Sequence, residues 1–149
     1  MNIGVIADSH NLLRPDVLEW LVGVDEILHA GDLCSPEILA RLEHIAPTTA
    51  VRGNNDDIQW AHVLPVAATL HRQGVSIHLC HVREQTIAPN DVTLIINGHS
   101  HRPQQEVQGG QTWLNPGAIG PRRFKLPIAA ARLELHDGRF VIHEARFDA

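Results

Sequence analysis

The chain has 149 residues, of which 44% are hydrophobic and 19% charged, and its formal net charge is −5. Those values suit one globular domain spanning residues 1–149, and they advertise no general nucleic-acid-binding surface. No apolar run approaches the roughly 20 residues a membrane-spanning helix needs.

Residues 2–7 (NIGVIA) read as a buried strand. Residues 14–23 (RPDVLEWLVG) read as a helix, with Pro15 near its start and Gly23 near its stop. A short strand, DEILHA, follows. Then SPEILARLEH has Ser35 placed as an N-cap ahead of Pro36 and Glu37, so a second helix is expected. TTAVR is a third strand. This β-α-β-α-β order predicts a parallel sheet with right-handed crossovers. The second half changes character. Residues 66–81 form two alternating runs around Gln73-Gly74, and DVTLIINGHSH is a strand running into a loop. Hairpins are then expected around Gly109-Gly110 and Asp137-Gly138, which makes this half mostly antiparallel. The opening MNIGVIADSH is strand-like and lacks the pattern of a targeting peptide. Cys34 and Cys80 have no CxxC spacing, which favours reduced thiols and a cytoplasmic location.

Histidine is the outlier of the composition, at 11 residues, and neutral imidazole is the commonest protein metal ligand. The strand ends show where some of these histidines belong. The first strand runs out into Asp8-Ser9-His10, the second into Gly31-Asp32 and the third into Gly53-Asn54-Asn55-Asp56. Two later strands end at Cys80-His81 and at Gly98-His99-Ser100-His101. Five strand ends therefore each deliver a carboxylate, an amide or an imidazole, and open α/β sheets collect ligands at the carboxyl ends of their strands. Each position has an ordinary alternative: Asp8 and Asp32 as helix caps, Asn54-Asn55-Asp56 as a turn, His81 as a lone structural histidine. Together they suit divalent cations, because carboxylate, imidazole and neutral amide oxygen form a mixed set for zinc, iron or manganese.

In this order, Asp8-x-His10, Gly31-Asp32, Gly53-Asn54-x-Asp56, His81 and Gly98-His99-x-His101 resemble the five blocks of the calcineurin-like metallophosphoesterase superfamily. The short YfcE-like phosphodiesterase branch is the nearer likeness, and LNPGAIGPRR resembles its Asn-Pro-Gly-Ser loop. The resemblance implies an α/β four-layer α-β-β-α sandwich of two mixed sheets. It also implies a dinuclear-metal phosphoesterase that cleaves phosphodiester bonds with a metal-bridging hydroxide. Asp8, His10 and His101 would hold one metal, and Asn54, His81 and His99 the other, with Asp32 bridging. Asp32, Asn54 and Asp56 would form the catalytic core, Asp56 by orienting a ligand or its loop. Two divalent ions are implied, manganese first, with iron, zinc or nickel as alternatives.

The chain departs from the pattern in three places. Many superfamily members carry a histidine, thought to protonate the leaving group, where this chain has Asn55, which cannot act as an acid near neutral pH. Slow turnover and good leaving groups are therefore expected. Val82-Arg83 replaces a Gly-His pair after His81. Only ten residues, Val82 to Asp91, precede the next strand, so a shortened cap and an open cleft are expected. Asn55, Arg83, Arg122 and Arg123 are candidate substrate contacts, as is Arg52, since guanidinium matches phosphate bidentately. The expected partner is a small phosphodiester or nucleotide-like substrate, with self-association possible. Two alternatives stand beside this reading: a catalytically weak scaffold of the same fold, and a nucleotide or dinucleoside-polyphosphate phosphatase.

Overall fold

The computed structural model describes residues 1–148. Ten strands form two five-stranded sheets. The first has the order β10-β9-β1-β2-β3 and the second β4-β5-β6-β8-β7. In the first sheet, β1 (Asn2–Ile6), β2 (Glu26–His29) and β3 (Thr48–Ala50) run parallel, and α1 (Pro15–Leu21) and α2 (Pro36–Glu43) provide the crossovers. The hairpin of β9 (Ile128–His136) and β10 (Arg139–Phe147) closes the other edge, with β9 antiparallel to β1.

The second sheet holds β4 (Ala67–Arg72), β5 (Val75–Cys80), β6 (Leu94–Ile96), β7 (Gln104–Gln108) and β8 (Gln111–Asn115). Its hairpins β4-β5 and β7-β8 are antiparallel, as the turn residues predict. Its centre is not: β5, β6 and β8 are parallel neighbours, so both sheets are mixed. The expectation of a mostly antiparallel second half holds at the hairpins and where β9 meets β1, and fails at the centre of the second sheet. Periodicity shows that a strand exists, but pairing direction depends on where the connections carry the chain.

Alternating residues face one another between the sheets. Ile3, Val5, Leu28 and Leu133 from the first sheet pack with Ile77, Leu79, Leu94 and Ile96 from the second. On the outer face of the first sheet, Ile6 and Ile27 meet Val17, Leu21, Ile38 and Leu42 of the two helices. The outer face of the second sheet is thinly covered. Cys80, Ile95 and Trp113 pack with Ala88 and Val92 of the connecting segment, whose regular structure is one 3-10 turn, Arg83–Gln85. This matches the shortened cap expected from the ten-residue span.

Two local details differ from the sequence-based expectation. Ser35 occupies the N-cap position of α2, but its hydroxyl donates to Asn11 Oδ1 at 2.7 Å instead of capping the helix. A short helix, α3 (Ile58–Ala61), also follows the third strand end, with Asp57 accepting from the Gln59 N–H at 2.9 Å. Its four residues are too few to leave a periodic signal. Both cysteines are free thiols.

Candidate metal centre

The ends of β1, β2, β3, β5 and β6 meet at one rim, and the five predicted blocks meet with them. Asp8, His10 and His101 bring one ligand atom each within 4.8 Å of one another, and so do Asp32, His81 and His99. The two groups touch. His10 Nε2 lies 3.6 Å from Asp32 Oδ2 and 3.8 Å from Asp8 Oδ1. His81 Nε2 lies 3.3 Å from Asp32 Oδ2 and 3.9 Å from Asp8 Oδ1. Asn54 completes the second group, since its Oδ1 is 2.9 Å from His81 Nε2 and 3.2 Å from His99 Nδ1.

The backbone here is forced. Asp8, His10, Asp32, His99 and His101 all have positive φ, between 44° and 72°. Non-glycine residues adopt that conformation at a cost, and such strain collects at functional sites. The glycines beside them do two different jobs. Gly31 does supply a left-handed turn, with φ of 100°. Gly53 and Gly98 do not; they supply space. A Cβ on Gly98 would sit 2.9 Å from Asp8 Oδ2, and one on Gly53 would overlap the Asp32 carboxylate. The candidate ligands themselves bend the chain while these two glycines let carboxylates approach.

Hydrogen bonds fix the orientations of these side chains. His81 Nδ1 donates to the Ala30 carbonyl at 2.7 Å, so in the neutral ring the Nε2 lone pair faces inward. There it meets Asn54 Oδ1 and Asp32 Oδ2, both acceptors. The three can face one another only around a cation, whether a proton on Nε2 or a metal ion, and a mixed set of carboxylate, imidazole and amide oxygen fits a divalent one. Asp8 provides a second sign. Its Oδ2 accepts from the His99 N–H at 3.0 Å, while its Oδ1 is buried with no hydrogen-bond partner and has imidazole nitrogens at 3.6, 3.8 and 3.9 Å.

Around this inner set stand residues of a different kind. Asn55 donates its backbone N–H to Asp32 Oδ1 at 2.8 Å and its amide to Oδ2 at 2.9 Å. Asp56 is buried and accepts three backbone N–H groups, from Asp32 at 3.0 Å, Gly53 at 2.8 Å and Cys34 at 2.8 Å. Its oxygens are thus committed to two loops, and Asp56 sits behind the centre as their clamp. Of the predicted substrate arginines, Arg83 pairs with Glu106 at 2.8 Å and stacks over Trp113. Arg122 bonds the carbonyls of Lys125 and Leu126 in its own loop. Arg123 is near enough to act electrostatically on His101.

Sequence reasoning left two supports without a role. His29 is fully buried: it accepts the Gly31 N–H on Nδ1 at 3.1 Å, so Nε2 donates to the Ser9 hydroxyl at 2.9 Å and ties the first two strand ends together. Asn115, in the Asn-Pro-Gly loop, donates to the Gly98 carbonyl at 2.9 Å and to Ser100 Oγ at 3.0 Å. The same loop reaches Asp8 through the Gly120 N–H. A histidine inside an apolar strand, two residues before Gly31, was the available signal for His29.

Charge and burial compete throughout. Burial opposes ionisation of Asp32, but hydrogen bonds from His81 and Asn55 outweigh it and hold the carboxyl well below its ordinary range. Burial likewise opposes protonation of His81, and the Asp32 hydrogen bond with the fields of Asp8 and Asp32 reverses it, raising the value. Burial lowers His101, with Asp8 opposing and Arg123 assisting. His29 is pushed down to about 4, first by burial. The Cys34 thiol, 3.6 Å from His10 Nδ1, is pushed up to about 11 by burial and by Asp56, Asp32 and Asp8.

A mixed α/β sandwich with carboxylates, imidazoles and an amide gathered at its strand ends defines the class of the metallophosphoesterases. The family model described as the calcineurin-like phosphoesterase superfamily domain matches residues 1–138, and the chain belongs to that superfamily. It is 31% identical over 136 residues to a probable metallophosphoesterase of Methanothermobacter thermautotrophicus, covering 79% of this chain and 77% of that one. Among solved structures, a novel archaeal phosphodiesterase superposes with a TM-score of 0.81 at 20% identity, covering 99% of this chain and all of that one. Wild-type Vps29 of Entamoeba histolytica, complexed with zinc, superposes with a TM-score of 0.75 at 24% identity over 99% of this chain and 100% of that one.

Proposed function

We propose that the 149 residues act as one domain, a cytoplasmic phosphodiesterase that works with two divalent metal ions on small phosphodiester or nucleotide-like substrates. The observation that supports this most is the convergence of His81 Nε2, Asn54 Oδ1 and Asp32 Oδ2 on one point, with the orphaned Asp8 Oδ1 beside them. Asp8, His10 and His101 would hold one ion, Asn54, His81 and His99 the other, with Asp32 between them. When bound, such ions supply Lewis acidity toward a phosphoryl group and lower the pKa of a water. Manganese is the first ion to test. Zinc suits the same donors and accompanies the related Vps29.

The chain's own residues position and tune. Asn55 holds Asp32 by two hydrogen bonds, which keeps the carboxylate ionised and aimed at both ligand groups. Asp56 keeps the Asp32 and Asn54 loops in register by gripping their backbone. With Asn55 committed in this way and Arg83 paired to Glu106, Arg123 and Arg52 are left as predicted cations near the centre. No acid stands at position 55, so esters with good leaving groups should turn over best.

The test is manganese-dependent hydrolysis of bis(p-nitrophenyl) phosphate against p-nitrophenyl phosphate. Asp32→Ala and Asn54→Ala should each bring diester hydrolysis to background with an unchanged circular dichroism spectrum. Undiminished turnover in both variants would end the proposal, and a monoester preference would favour a nucleotide phosphatase. The fold shared with Vps29 suits a second reading, a protein-binding scaffold, which calls for no metal-dependent turnover. The filled ligand set favours the enzyme.

A further inference from the structure

A cleft of about 410 Å³ opens directly beside the second ligand group, and Asn54 and His81 form part of its wall. Its size falls in the range of small-molecule sites. Val66 and Ile87 line it and are exposed at 60% and 95%, so they form an apolar rim with nothing packed over it. No carboxylate is among its described lining residues, although the chain as a whole carries a net charge of −5. One full cation lines it, Arg52. Its backbone N–H donates to Pro65, while its guanidinium has no ion pair or hydrogen bond among the described residues. The other arginine nearby, Arg83, is neutralised by Glu106 and opens toward a separate cleft with His99. The wall is also fixed: His78 bridges the hydroxyls of Thr69 and Thr86 at 3.0 and 3.1 Å, joining the strand to the connecting segment.

An apolar rim, a single unpaired guanidinium and no opposing carboxylate make a receptor for a ring that carries its own negative charge. We infer that this cleft receives the organic substituent of the phosphodiester, and that Arg52 selects substituents bearing a second phosphate, as in a nucleotide phosphorylated at a second position. This rests on the phosphodiesterase reading above. It adds a substrate class, and it makes Arg52 a specificity-determining residue distinct from the ligands.

A matched pair of substrates isolates the effect: the p-nitrophenyl ester of thymidine 5′-phosphate with and without a 3′-phosphate. The wild type should favour the 3′-phosphorylated ester by about tenfold in kcat/KM, the scale of one charge-assisted contact. That preference should sit mainly in KM. Arg52→Gln should bring the ratio to about one, and Val66→Glu, which adds a carboxylate at the exposed rim to offset Arg52, should bring it toward one as well. Titration of thymidine 3′,5′-bisphosphate into the manganese-loaded protein, followed by calorimetry, reads the same cleft without turnover. Tighter binding by the wild type than by Arg52→Gln supports the inference. An equal ratio in wild type and Arg52→Gln, or equal bisphosphate affinity, overturns it. If the wild type hydrolyses neither ester, the phosphodiesterase reading fails, and the titration still decides whether Arg52 reads the second phosphate.

Discussion

Asp56 offers the sharpest test of how the centre is held. Its carboxylate accepts three backbone N–H groups at 2.8, 2.8 and 3.0 Å, from Gly53, Cys34 and Asp32. It is 7% exposed, so water can replace it only in part. Asp56→Ala leaves three buried donors without an acceptor, each costing roughly 1–3 kcal/mol. With some solvent rescue, a loss of about 3–5 kcal/mol is expected, a large share of a typical domain's stability. The loops it joins carry Asp32 and Asn54, so affinity for manganese should fall by about 10–100-fold even in molecules that remain folded. Urea denaturation of the chelated protein measures the first effect, and calorimetric metal titration the second. Asp57→Ala is the control: it removes only the exposed α3 cap and should cost about 1 kcal/mol or less, with metal affinity intact. If Asp56→Ala loses under about 1 kcal/mol and binds manganese like the wild type, the clamp is wrong.

His29 should leave a signature in the pH dependence of stability. Its folded value of about 4 lies below the ordinary 6.5, so its stabilisation is complete above about pH 6.5 and is lost as pH falls toward 4. The difference corresponds to roughly 3 kcal/mol, and His29→Gln should flatten that part of the urea-denaturation profile of the chelated protein. A wild-type profile already flat across that window would count against the buried, neutral assignment. Asp32, with its depressed value, adds a loss only below about pH 4. Gly31→Ala must adopt a φ of 100° and place its Cβ 2.7 Å from His81 Nδ1. Calorimetry should show weakened metal binding along with a loss of at least about 1–2 kcal/mol, and wild-type affinity would refute the close approach. The Cys34 thiol, pushed up to about 11, should alkylate with iodoacetamide more slowly at pH 7.5 in the folded than in the unfolded protein, followed by mass spectrometry. Faster labelling when folded would contradict that shift.

The legible part of this protein lies in short-range signals. Alternation and turn dipeptides such as Gln73-Gly74 and Asp137-Gly138 mark strands and hairpins because side-chain period and backbone conformation are local properties. Asp8, Asp32, Asn54, His81, His99 and His101 could be picked out because chemistry-bearing residues directly follow apolar runs, and strand ends are where an α/β sheet exposes side chains. Sequence could not give the parallel pairing of β5, β6 and β8, which depends on the path of connections. Nor could it give the commitments of individual side chains. Asp56 and His99 look alike as strand-end polar residues, yet one grips three backbone donors while the other faces Asn54. Arg83 and Arg52 are both arginines near a block, and only the fold brings Glu106 to the first and leaves the second facing an open cleft. Which residues are candidates to carry chemistry was written in the order of the chain. Which atoms face one another was decided by packing two sheets together, because contacts between residues far apart in sequence exist only after that packing.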